Sequence, residues 1–86
     1  MANYEIKVSS TAEKQLRKLS QKDQISVLKR IQELSGEPRP NHSRKLRGQN
    51  NVYRVRAGNY RILYSIEDKH LIIIILKVGH RRDVYR

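Results

Sequence analysis

The period of the hydrophobic pattern changes once along this chain, at a break that a helix cannot cross. Gly36, Pro38 and Pro40 fall within Ser35 to Ser43, and proline both removes a backbone donor and clashes with the preceding turn. Before the break, Ile25, Leu28, Ile31 and Leu34 recur at helical spacing, which predicts an apolar stripe with Lys, Arg and Gln opposite. After it the period is two, and Val52 to Ala57, Tyr60 to Ile66 and Leu71 to Lys77 read as strands. The chain therefore joins a helical half to a strand half.

The punctuation fills in the order. Asn3 to Val8 alternates as a strand, and Ser10 with Glu13 has capping-box spacing before a helix to about Leu19. Ser20 and Asp23 repeat the signal, so two helices on a short link should form an antiparallel hairpin. Gly58-Asn59 is a two-residue hairpin turn, and Glu67 to His70 is a polar junction of hairpin length. The fold class is α+β, in the order β-α-α-β-β-β, with the helix pair on one face of a three-stranded antiparallel meander. All 86 residues form one domain in this reading. Leu71 to Leu76, the most apolar strand, belongs inside the sheet, and a tail from Val78 returns past its end.

A domain of this size buries only roughly 60 to 65% of the surface its unfolded chain exposes, so its core is modest. The longest apolar run, Leu71 to Leu76, is too short to span a bilayer. Met1 to Tyr4 offers no signal-peptide pattern, which points to the cytoplasm. Absence of cysteine removes disulfides and thiolate chemistry. His42, His70 and His80 lack ligand-like spacing, so neither a metal nor a cofactor is expected.

The net charge is +11, a field that attracts phosphate backbones from a distance. Its placement is more informative than its total. From Pro38 to Ile66 stand seven basic residues, Arg39, Arg44, Lys45, Arg47, Arg54, Arg56 and Arg61, and no acidic one. The first 37 residues mix seven basic with five acidic side chains, as on an ordinary solvated helix surface.

If Gly58-Asn59 is the turn, Arg56 faces Arg61 and Arg54 faces Leu63, so three arginines share one face of one hairpin. Like charges directly opposite each other destabilise a sheet, and two positive charges ~5 Å apart repel by about 1 to 3 kcal/mol. Guanidinium groups present forked donors matched to phosphate oxygens and stay charged. Singly, each arginine would be a solubilising residue of a sheet face; together they read as a phosphate clamp. Tyr53, Tyr60 and Tyr64 fall on the opposite side and should be core. Tyr85 is either an anchor for the tail or an aromatic at the site.

Lys45-Leu46-Arg47-Gly48, then Tyr53 to Tyr64 with its Tyr-Arg-Val-Arg-Ala-Gly-Asn-Tyr-Arg core, then Val78 to Tyr85 with Gly79-His80-Arg81-Arg82, resemble the RelE branch of the RelE/ParE superfamily of bacterial toxins. The likeness covers the second half closely and the first half by element order. It implies an endonuclease cutting mRNA in the ribosomal A site, and a cognate antitoxin that blocks it. The family's basic residues fall on Arg54, Arg56 and Arg61, and its later Arg and terminal Tyr on Arg81 and Tyr85. Lysines often stand in the family where this chain has Arg54, Arg56 and His80.

RNA cleavage by the ribose 2′-OH requires removing a proton, stabilising crowded phosphoryl oxygens and protonating the departing 5′ oxygen. Arginine serves only the second task, because its pKa lies above ~12. The assignment is that Arg61 and Arg81 hold the scissile phosphate, while Arg54 and Arg56 add charge with Lys45, Arg47 and Arg82. Proton transfer falls to His80 or Tyr85. Two other readings compete: a non-catalytic ParE-type toxin acting on DNA gyrase, and a plain nucleic-acid-binding module.

Overall fold

The computed structural model describes residues 3–80, and Arg81, Arg82 and Tyr85 lie outside that range. The elements are β1 (Glu5–Val8), α1 (Ser10–Arg17), α2 (Gln21–Gly36), β2 (Arg44–Lys45), β3 (Val52–Ala57), β4 (Tyr60–Glu67) and β5 (Ile72–His80). The strands form one sheet in the order β1-β5-β4-β3-β2. β5 runs parallel to β1 and antiparallel to β4, so the most apolar strand is interior, as its composition requires. Among the described residues no helix is long and apolar enough to cross a membrane.

Both helices start on serine caps. Ser20 accepts from the Asp23 amide at 3.2 Å, as the spacing predicts. At α1 the cap is Ser9 rather than Ser10: its hydroxyl accepts from the Ala12 amide at 3.1 Å and donates to the Leu76 carbonyl at 3.0 Å. One hydroxyl thus satisfies an orphan helix donor and ties α1 to β5, a bond that Ser10 is one residue too late to make.

α2 meets the sheet through Val27, Ile31 and Leu34, all buried. Ile25 and Leu28 of the expected stripe are instead 61% and 42% exposed. The two candidate stripes share Ile31 and Leu34, and rotation about the helix axis is decided by tertiary ties. Tyr60 donates from β4 to Asp23 at 2.9 Å, and the Tyr4 amide donates to the Ser35 carbonyl at 2.9 Å. Between these two anchors Val27 faces the sheet. α1 packs chiefly on β5, whereas α2 reaches across β1, β3, β4 and β5.

The β3–β4 ladder runs Ala57–Tyr60, Arg56–Arg61, Val55–Ile62, Arg54–Leu63, as the two-residue turn predicts. Gly58 takes φ +61 at the first turn position, which a side chain would strain. On β5 the register shifts: Tyr64 pairs with Ile75 but Leu63 pairs with Lys77, leaving Leu76 as the extra residue of a bulge. Strict alternation from Ile73 and Ile75 would have sent Lys77 into the core. The bulge sends Val78 there instead, 2% exposed, and puts Lys77 outside.

Tyr53 and Tyr64 stack with centroids 6.0 Å apart, and the Tyr64 hydroxyl donates to the Pro38 carbonyl at 2.7 Å. Burial pushes the Tyr64 phenol up to about 12. Tyr64 is completely buried, while Tyr53 and Tyr60 are half-buried against the core. At this end of the sheet Arg39 forks onto Asp68 at 2.7 and 3.3 Å, and Tyr4 donates to the same carboxylate at 2.7 Å. The Pro-rich break is thereby fastened to the β4–β5 turn.

Candidate nucleic-acid interface

The face of the sheet turned away from the helices is built as two cross-strand rungs. One runs Arg44, Arg54, Leu63, Lys77 from β2 to β5; the next runs Arg56, Arg61, Gly79 from β3 to β5. Between them lie Val55, Ile62 and Val78, buried on the helix side. Neither rung holds a carboxylate, and each contains an arginine set directly opposite another.

The burial pattern shows which way each arginine lies. Arg56 is exposed, and Arg54 and Arg61 are half-buried. Leu63 is only 9% exposed although it lies on the face opposite the helices, with Arg54 and Lys77 as its ladder neighbours. Long basic side chains cover apolar surface with their stems while their heads reach water, which suits such a position. Gly79 opposite Arg61 contributes no side chain, so that rung is open on its β5 side.

A pocket of about 350 Å³ opens beside β3, lined by His42, Arg44, Arg54 and Arg56 with Val55 between the last two. β2 pairs with β3 only at Arg44–Arg54 and Lys45–Tyr53. The pocket lies where that short strand stops. His42 has Arg30 of α2 on its other side, Nη1 to Nε2 at 3.2 Å, and Arg30 also pairs with Glu33 at 2.9 Å. A guanidinium can only donate, so His42 Nε2 accepts in this arrangement.

Arg54, Arg56 and Arg61 therefore share one face. Lys45 stands opposite Tyr53, in the alternate register to Arg44, and Arg47 is exposed in the loop before Gly48. His80 is placed differently from the sequence reading. β5 continues through Val78 to His80 instead of turning back, because Ile62, Arg61 and Tyr60 extend the ladder that far. His80 consequently pairs with Tyr60, their rings edge-on at 6.0 Å, on the side where Tyr60 meets Asp23. A pocket of about 370 Å³ there is lined by Lys22, Asp23, Ser26, Tyr60 and His80 together with the Gly58 turn. Hydrogen bonding to Asp23 holds the Tyr60 phenol above its usual range.

Arg44, Lys77 and His42 are the neighbours that sequence reasoning missed. Lys77 is hidden by the bulge, which no alternation rule reveals. Arg44 is marked only by its place in the acid-free stretch. His42 carries no local signal.

A model of the ParE toxin of the type II toxin–antitoxin system parDE matches residues 6–85. Toxin RelG of Mycobacterium tuberculosis (strain ATCC 25618 / H37Rv) is 34% identical over 84 residues, covering 96% of this chain and 97% of that one. The toxin–antitoxin complex RelBE2 of M. tuberculosis superposes with a TM-score of 0.84 at 34% identity, over 96% of this chain and 97% of its counterpart. The archaeal RelE–RelB complex of Pyrococcus horikoshii OT3 gives 0.83 at 31% identity, over 95% and 99%. This chain belongs to the RelE/ParE superfamily and is a type II toxin of the RelE family.

Proposed function

We propose that this toxin is an endoribonuclease that cuts mRNA held on the ribosome and so arrests translation in the cytoplasm. The observation that carries the reading is the carboxylate-free pair of rungs, where Arg54, Arg56 and Arg61 stand on one sheet face with Arg44 and Lys77. A phosphodiester supplies the missing negative charge, and planar guanidinium forks suit the equatorial oxygens of a crowded phosphoryl centre. In this mechanism Arg61, with Arg81, stabilises the scissile phosphate, and Arg54 and Arg56 hold the strand.

Proton transfer is assigned to Tyr85 rather than His80, because the His80 ring is engaged with Tyr60 on the helix side of the sheet. A phenol, ordinarily near pKa ~10, becomes an effective base where neighbouring guanidinium groups stabilise its phenolate. The ribosome would align the message, which is a large share of such a barrier. A cognate antitoxin is part of the proposal, supported by the relatives solved as toxin–antitoxin complexes.

The matching family model bears the ParE name, so action on DNA gyrase is the competing reading. The two separate on inducing the chain in cells and mapping 5′ ends of messages, with and without translation. The ribonuclease reading expects new ends inside translated codons that vanish when initiation is blocked. Intact messages with a DNA-damage response would instead assign the toxin to gyrase.

A further inference from the structure

We propose that His42 and Arg44, with Arg54 and Arg56, form a second phosphate subsite beside the one at Arg56–Arg61, so that the toxin grips two successive phosphates of a single RNA strand. The inference rests on the ribonuclease reading and extends it to a place that reading leaves empty. Its first support is repetition: the like-charged pair Arg56–Arg61 recurs one rung away as Arg44–Arg54. Each pair of facing cations raises the energy of the sheet unless an anion lies between them.

The second support is spacing. Arg54 and Arg56 are two residues apart on β3, which puts their Cα atoms ~7 Å apart along the strand. Adjacent phosphates of an extended single strand have a comparable separation, so one phosphate per rung needs no distortion of either partner. Third, the first of these rungs borders a formed cavity, about 350 Å³ and lined by the four residues. That volume admits a phosphate with part of its ribose.

His42 completes the subsite by its orientation. With Nε2 accepting from Arg30 at 3.2 Å, the imidazole proton is on Nδ1, free of that contact and available as a neutral donor. Arg30 is itself set by Glu33 at 2.9 Å. The chain Glu33–Arg30–His42 thus fixes a ring at the pocket edge from the helix side. Arg30 and His42 are positioning and binding groups respectively; neither touches the scissile bond in this scheme.

The test uses the full chain and uncleavable 2′-O-methyl oligoribonucleotides with one, two or three internal phosphates, read by fluorescence anisotropy over a range of salt. The native toxin should gain affinity at the second phosphate. Arg44→Ala should remove that gain, roughly tenfold, and reduce the salt slope by about 0.7, the share of one single-strand phosphate. Arg44→Lys should restore most of the slope. Glu33→Gln, which loosens Arg30 without touching the pocket, should weaken the two-phosphate probe while sparing the one-phosphate probe.

An Arg44→Ala protein that binds the two-phosphate probe with native affinity and slope overturns the subsite. If Arg61→Ala still weakens the one-phosphate probe in that case, the clamp at the other rung survives. A native toxin without any phosphate-dependent gain overturns both. Equal binding of a glutamate peptide of matched charge assigns the pocket to an acidic protein segment and overturns the RNA subsite.

Discussion

On the helix side of β3 and β4, Val55, Ala57, Ile62 and Tyr64 are buried; on the other side the alternating positions are Arg54, Arg56, Arg61 and Leu63. The same backbone ladder serves both, so hydrogen bonding does not distinguish the faces. The difference lies in what each face is complementary to. The helix side finds its complement within the chain, in Val27, Ile31 and Leu34 of α2. The arginine side has ladder partners of its own sign, and its complement must be anionic. Arg39 makes the contrast sharper, because this arginine from the same acid-free stretch reaches Asp68 and forms a forked pair. Its cation is held by the fold, whereas the rungs present theirs to a ligand.

Substitutions on adjacent residues should separate the two faces. Ile62→Ala empties a fully buried site and should cost about 2 to 5 kcal/mol, measured by denaturant midpoint. Its neighbour Arg61→Ala should lower cleavage of ribosome-bound message by about 10²- to 10³-fold, with the far-ultraviolet spectrum unchanged. Equal loss of stability in both variants would erase the distinction between core and interface.

Smaller effects probe the ties that hold the faces in place. Tyr64→Phe removes the hydrogen bond to the Pro38 carbonyl and should cost about 1 kcal/mol. Burial raises the Tyr64 phenol to about 12, so its contribution is complete below its unfolded value near ~10. That contribution is lost as pH rises through the folded value, and Tyr64→Phe should flatten this alkaline limb of the stability curve. Asp68 behaves in the opposite sense. Hydrogen bonds from Arg39 and then Tyr4 hold its carboxyl below the usual range. Its stabilisation is present above the ordinary carboxylate pKa and fades as pH falls through the depressed one. Asp68→Asn should flatten the acid limb, the smallest effect of the series because the pair is solvent-exposed.

The arginine hairpin was legible from sequence because Gly58-Asn59 fixes its register, and with register every facing pair follows. The order of the main elements and the interior place of β5 were legible for the same reason, local pattern agreeing with global packing. Features set by distant contacts were hidden. Ser9 and Ser10 both satisfy a capping rule, and the Leu76 carbonyl chooses between them. The face of α2 was off by one position because two stripes share two residues. β2 is two residues long, too short to show a period, yet it brings Arg44 beside Arg54. The bulge at Leu76 decided the side on which Lys77 lies, and the extra length of β5 decided that of His80.

Thermal unfolding of native toxin and Arg56→Gln, each with and without an uncleavable oligoribonucleotide, bears most directly on whether cationic crowding exists for a phosphate. Relieving one like-charged contact should raise the melting temperature of the free variant and shrink its gain on adding the oligonucleotide. A free variant less stable than the native chain, with an undiminished response to RNA, would contradict the account.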